Sequence, residues 1–312
     1  MTFRYMSQRL LRAVVTMWLV VTFTFIILRA TGDPTDTLLP DDTPTEVVEF
    51  YRRAWGLDKP LYEQYLIYFK SVFRGDLGRS FRDNRDAVAV MLERIPATLR
   101  LGCSALALAI VSGVLLGIFA ALHRNSVLDR MTMAFAVFGY SMPNFFLGIL
   151  LIFLFAMKLR ILPSAGSETF LHMIMPLITL TTAHAAGIAR FSRSAMLEVL
   201  NEPYIRTARA KGLSYRRRLL RHALPNAMIP IMTIAGLKVG HLIGGAIIIE
   251  TVFAWPGVGR LLVMSVATRD LAVVQAIVLM LACSMIAANL SVDLLYGWVD
   301  PRIRLGKAEE GS

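Results

Sequence analysis

The stretch Leu99-Arg-Leu-Gly-Cys-Ser-Ala-Leu-Ala-Leu-Ala-Ile-Val-Ser-Gly-Val-Leu-Leu-Gly-Ile-Phe-Ala-Ala-Leu122 is apolar enough and long enough to cross a bilayer as one helix, and it sets the reading of the whole chain. Within it Ala105, Ala109, Gly113, Gly117 and Ala121 recur every four positions. Small residues at that spacing let two helix backbones approach closely in lipid. Five further stretches qualify or nearly qualify: 10–28, 131–157, 171–189, 227–253 and 271–298. The one at 171–189 is the weakest, because it holds Pro176, His184 and several threonines. The fold class expected is an all-α membrane protein with six transmembrane helices.

Composition agrees with that class. Only 18% of the 312 residues are charged, 56% are hydrophobic, and mean hydropathy is +0.58. A soluble domain carries about 25% charged residues. The net charge of +11 does not point to nucleic acid, because the basic residues lie between apolar spans. Cys103 and Cys283 lack the spacing of a metal site or redox motif and are expected as small core residues.

The basic residues also orient the chain. Arg4, Arg9 and Arg12 precede the first span, and Arg124 and Arg130 follow the second. Nine more fall between the fourth and fifth spans: Arg190, Arg193, Arg206, Arg209, Lys211, Arg216, Arg217, Arg218 and Arg221, opposed only by Glu198 and Glu202. Arg302, Arg304 and Lys307 end the chain, whereas the opposite short loops carry Lys158, Arg160, Arg260 and Arg269. The positive-inside rule puts both termini in the cytoplasm. The first span follows a basic n-region, but Leu28-Arg29-Ala30 is not a small-x-small cleavage site, so a retained anchor is expected.

The organisation expected is an anchor helix with a long outward loop over 1–97, then a five-helix core over 98–312 with a cytoplasmic loop at 190–226. In the outward loop Tyr62, Tyr65, Tyr68, Phe69 and Phe73 recur at helical spacing, which favours a small helix packed on the membrane surface over a substrate site. The fifth span repeats the small-residue device with Gly236, Gly240 and Gly244 and carries Lys238 and His241 on another face. Lys238 lies roughly 18 Å from the cytoplasmic end at 1.5 Å per residue. A lysine at that depth costs at least about 2.5 kcal/mol on insertion scales, so it faces a bundle interior or a watery cavity. Lys238 and His241 are therefore candidates for a solute pathway, the alternative being a lysine paired within the bundle or snorkelling to a surface.

The most informative loop reads Asn201-Glu-Pro-Tyr-Ile-Arg-Thr-Ala-Arg-Ala-Lys-Gly212-Leu-Ser-Tyr-Arg-Arg-Arg-Leu-Leu-Arg-His-Ala-Leu-Pro225-Asn226. Pro203 suits the first turn of a helix, with Glu202 at the positive end of its dipole. Gly212 suits the position just past its end. Ser214 can cap a second short helix that stops before Pro225. Ala208 and Gly212, flanked by Tyr204 and Ile205, leave a low-relief face able to lie in a partner's groove. Binding to anionic lipid would explain the arginines but not that face.

This segment resembles the EAA loop of ABC-importer permeases, with Ala208, Gly212, Leu224 and Pro225 in register. Arg206, Thr207 and His222 depart from the general form, as the dipeptide/oligopeptide/nickel branch does. Gly56-Leu-Asp-Lys-Pro60, Gly75-Asp-Leu-Gly-Arg-Ser80, Glu250-Thr-Val-Phe-Ala-Trp-Pro-Gly-Val-Gly-Arg260, Asp293-Leu-Leu-Tyr-Gly297 and Asp300-Pro-Arg302 resemble further motifs of that branch, and the long outward loop resembles its first permease type. The resemblance implies an ABC type I importer fold in a bacterial inner membrane. It implies a heterodimer with a second permease, two cytoplasmic ATPases and an extracytoplasmic solute-binding protein. It assigns Tyr204, Ile205, Arg206, Thr207, Ala208, Arg209, Ala210, Lys211, Gly212, Leu224 and Pro225 to ATPase coupling. No cofactor is expected in this chain, ATP and Mg being held by the ATPases, and the solute expected is a peptide or peptide-like.

The sequence carries no G-x-x-x-x-G-K-[ST] phosphate loop and no H-E-x-x-H, and its five histidines are scattered. An intramembrane serine protease built on Ser104 and His184 lacks the glycine after serine that such enzymes usually show. An ATP-independent secondary transporter would leave the docking loop without a purpose.

Overall fold

The computed structural model describes residues 3–30, 35, 39, 43–54, 56–82, 84–239 and 242–299. Among them the regular structure is helical, with one isolated bridge between Arg79 and Asp86. The chain forms two compact units, Met1–Thr98 with Pro256–Leu290 and Gly297–Ser312, and Leu99–Trp255 with Ser291–Tyr296.

In the first unit α1 (Phe3–Ala30) packs against α3 (Leu61–Arg74), which follows the short α2 (Thr45–Ala54). Tyr65 and Tyr68 lie 5.4 and 5.6 Å from the Phe25 ring, and Tyr65 shares a 2.8 Å hydrogen bond with Thr22. The aromatic run of the long loop is thus a packing face, while Leu61, Tyr62 and Phe73 remain exposed. A second core of this unit joins α4 (Ala87–Leu92), α14 (Val258–Ala267) and the start of α15 (Leu271–Val299) through Ala87, Met91, Val258, Val273 and Ile277. Asp86 caps α4 by accepting from the Val88 and Ala89 amides.

The second unit is built on α5 (Ile95–Leu122) and α8 (Phe170–Leu200). The alanines and glycines of α5 do what their spacing predicts. A Cβ on Gly113 would lie 2.8 Å from the Ala185 carbonyl, and one on Gly117 would collide with the Ala189 carbonyl and come within 2.6 Å of Ser192 Cβ. Ala109 is buried with Ala185 and Ile188, and Thr181 donates to the Ala105 carbonyl at 3.3 Å. The second glycine device is different. Nothing lies within 4 Å of a Cβ on Gly244, and Gly240 lies outside the described residues.

Three expectations about spans change. The stretch 131–157 is not one straight helix: α6 (Val127–Ser141) and α7 (Asn144–Leu151), continued by a π-turn at Ile152–Lys158, meet at 100°. Pro143 causes the break, because its ring bars the preceding residue from helical geometry and Met142 is extended at φ −80° and ψ 125°. The weakest candidate by composition becomes a continuous 31-residue helix that takes in Arg190, Arg193 and Glu198, so the loop begins at Asn201 rather than 190. Pro176 sits early in α8, where it removes a single helical bond. In the fifth stretch α11 (Leu224–Val239), α12 (Leu242–Gly245) and α13 (Ile247–Val252) are separate pieces. Among the described residues three helices are long and apolar enough to cross a membrane, or four if the bent pair is one span. Cys103 and Cys283 are both exposed rather than core residues. A membrane helix is apolar on its lipid face too, so apolar neighbours did not locate them.

Gly117→Ala is expected to destabilise the detergent-solubilised protein by about 1–3 kcal/mol, as overpacking does. Gly187→Ala, where nothing lies within 4 Å of the new methyl, is expected to leave the melting temperature unchanged or slightly higher. Equal melting temperatures for the two variants would contradict the close approach.

Candidate functional site

The loop between α8 and α11 is built from local rules. Asn201 closes α8 by donating its side-chain amide to the Leu197 carbonyl at 2.9 Å. Pro203 opens α9 (Pro203–Ala210) with Glu202 at the N-cap. Gly212 then turns left-handed at φ +75°. The Gly212 amide donates to Arg209 O at 3.0 Å and the Leu213 amide to Ala208 O at 3.2 Å. Those two bonds make a Schellman end, whose left-handed residue is normally glycine because a Cβ there is strained.

The second helix departs from expectation. Ser214 stands at the N-cap of α10 (Tyr215–Arg218), but its side chain makes no capping bond. The helix does not stop before Pro225. It widens into a π-turn at Leu219–Ala223 and runs on into α11. A π-turn relieves the crowding that a proline ring imposes on the preceding turn. Asn226 supports the junction by donating its side-chain amide to the His222 carbonyl at 2.6 Å.

The low-relief face is also placed differently. Ile205 and Ala208 are each 7% exposed and point into the chain. Ile205 joins Ala121, Ala195, Met196, Ala223, Ala227 and Ile231 in one core cluster. The outward side of α9 instead presents Tyr204, Arg206, Thr207, Arg209, Ala210, Lys211 and Gly212. Sequence spacing located Ile205 and Ala208 on the helix, but which side meets this chain's own core is a tertiary fact. Leu224 is half-buried and Pro225 exposed. Partial burial raises the Tyr204 phenol pKa, the Glu202 carboxylate adds to that, and a side-chain hydrogen bond with Asn226 works in the opposite direction.

Arg206, Arg209, Lys211, Arg216, Arg217 and Arg221 are exposed and make no ion pair among the described residues. Arg193 is the exception in this basic region. Its Nε and Nη2 donate to Asp129 Oδ1 and Oδ2 at 2.6 and 2.7 Å. Asp129, only 3% exposed, also accepts from the Asn125 amide at 2.9 Å. The clasp ties the start of α6 to the last turns of α8, directly before the loop. Sequence reading counted Arg193 only as one of nine loop cations and missed this role. A lone aspartate between Arg124 and Arg130 was the available signal. Lys238 is half-buried in the last turn of α11, and His241 lies outside the described residues.

Residues 113–305 match the binding-protein-dependent transport system inner membrane component family, and residues 2–102 match its N-terminal membrane component. The chain belongs to that family. It is 42% identical over 301 residues to the glutathione transport system permease protein GsiC of Escherichia coli K12, covering 96% of this chain and 98% of the relative. The same protein of Shigella flexneri serotype 5b is similar to the same extent. The crystal structure of an amino acid ABC transporter with histidines shares the fold at a TM-score of 0.54 and 17% identity, over 68% of this chain and 94% of that one. The protein is therefore a multi-pass inner-membrane permease subunit of an ABC importer, which works with ATPases and a solute-binding protein.

Asp129→Asn is expected to cost about 1–3 kcal/mol, because it strips the charged partner from a part-buried guanidinium. Thermal unfolding of the purified permease measures this. The exchange Asp129→Arg with Arg193→Asp is expected to recover part of the loss, and a double variant no better than the worse single one would refute the pairing.

Proposed function

We propose that this permease forms half of a translocation pathway for peptides or peptide-like solutes, paired with a second, similar permease, and that the loop from Glu202 to Gly212 is the lever through which two cytoplasmic ATPases act on it. The observation that carries the reading is the construction of the loop. Ile205 and Ala208 root α9 in the core beneath α5 and α8, and Gly212 ends it sharply, while the opposite side is exposed, cationic and, among the described residues, without ion partners. A short helix rigidly attached to the bundle on one side transmits a push from the other. The basic residues around it support a cytoplasmic location for this loop and for both termini. Glutathione enters as a solute candidate through the name of the relative, which covers nearly the whole chain. The chain itself does no chemistry in this reading, and ATP and Mg belong to the ATPases.

The importer reconstituted with its ATPases and binding protein is expected to accumulate glutathione in proteoliposomes only with ATP. Uptake driven by an ion gradient without ATP would defeat the reading. Ala210→Trp adds bulk on the exposed side of α9 without touching the core, and should abolish both ATPase co-purification and uptake while the permease stays folded. Retention of the ATPases by that variant would remove the docking role.

Lys238, half-buried in the last turn of α11, belongs to the pathway in this reading. Lys238→Met is expected to slow uptake severalfold in a normally assembled complex, and unchanged uptake would take Lys238 out of the pathway.

A further inference from the structure

Two sequence motifs that the coupling loop does not use meet in the first unit. Ser80 closes the segment Gly75–Ser80, and Arg260 lies in the first turn of α14. Ser80 Oγ donates to Asp270 Oδ2 at 2.5 Å, and the Phe81 and Val273 amides donate to Asp270 Oδ1 at 3.3 and 3.4 Å. The Val258 amide donates to Thr98 Oγ1 at 2.8 Å. Ser80, Asp270 and Val273 of this network line a cavity of about 430 Å³.

Among the described residues Arg82, Arg94 and Arg260 line that cavity together with Asp270. Asp270 is 4% exposed, and both its oxygens are held by donors of the frame. The side chains of Arg82 and Arg94 are exposed and make no ion pair among the described residues. Ser265 and Thr268 add hydroxyls, and Val90 and Leu261 an apolar surface. Cationic side chains beside a concavity attract an anion, and concave low-dielectric walls strengthen that attraction. The volume falls in the range of small-molecule sites. An apolar surface beside cationic donors suits a small organic acid better than a bare inorganic ion. Arginine forks match carboxylates in pairs of hydrogen bonds.

We propose that this cavity is a carboxylate-binding site for the solute, met on the outward side before it enters the pathway, with Arg82 and Arg94 as the binding cations and the Ser80–Asp270 bond as the element that positions the segment carrying Arg82. The proposal rests on the importer reading above and on its orientation. It places a selectivity step for acidic, peptide-like solutes on the permease itself.

The test uses the purified importer complex without the solute-binding protein, glutathione as the carboxylate probe and glutathione diethyl ester as its neutralised counterpart. Glutathione is expected to raise the melting temperature of the complex and the diester to have no effect, since a ligand stabilises only the state that binds it. Arg82→Gln and Arg94→Gln are each expected to weaken the apparent affinity about tenfold, the scale of one charge-assisted pair. Both side chains are exposed, so the ligand-free melting temperature should not move. An equal shift with the diester, a full shift in the double variant or no shift in the wild-type complex would overturn the site. Inorganic phosphate giving the same arginine-dependent shift would make it a general anion or lipid-headgroup site and also overturn the carboxylate assignment. ATP-driven uptake that persists without any shift removes this site and leaves the importer reading intact, whereas failure of ATP-driven uptake removes that reading.

Discussion

The backbone of α5 touches the backbone of α8 at Gly113 and Gly117, and the second unit is arranged around that contact. A Cβ at Gly117 would sit 3.0 Å from the Arg193 amide, so the same close approach that removes side chains from the seam sets the height of Arg193. Arg193 in turn holds Asp129 and the start of α6. One helical turn further, Ala121 meets Ala195, Met196 and Ile205, which brings α9 down onto the bundle. A seam of small residues thus runs along one helix into the clasp and then into the root of the loop. In lipid, where apolar side chains gain little by leaving their solvent, such close packing is a main source of helix association.

This continuity gives the loop its mechanical character. A helix of eight residues has little stability alone. It is held at its start by Asn201 and Pro203, at its end by the Schellman bonds at Gly212, and along its inner side by Ile205 and Ala208. The π-turn at Leu219–Ala223 then joins the loop to α11 without a break, despite Pro225. The exposed side of α9 is thus joined to α8 and α11 both covalently and by packing. The first unit is organised differently, around buried polar bonds such as Ser80 to Asp270, which join segments far apart in sequence and leave a charged cavity beside them.

Local features were legible because their causes are local. The helical class followed from the length and composition of the apolar stretches, the α5 seam from a four-residue repeat, and the left-handed turn from a glycine at the end of a helical pattern. The family resemblance of the loop and its flanking motifs agreed with the relatives over nearly the whole chain. Hydropathy averaging concealed the bend at Met142-Pro143, although the proline was in view. It also undervalued the helix from Phe170 to Leu200, because threonine and histidine lower the average while the helix still buries Thr179 and Ala186 against its neighbours.

What the sequence by itself determined is where helices start, stop and find room to approach, since caps, prolines and small-residue spacing act within a few residues. What only the tertiary structure decided is direction and pairing. It turned Ile205 and Ala208 inward, left Cys103 and Cys283 outside, joined Arg193 to Asp129 and brought Ser80 to Asp270. The physical reason is that side-chain periodicity fixes which residues share a face, while the partner of that face is chosen by packing among elements separated by tens to hundreds of residues. The stretch Leu99–Leu122 shows both halves. Its glycines announced a close contact, and the fold supplied the helix that makes it.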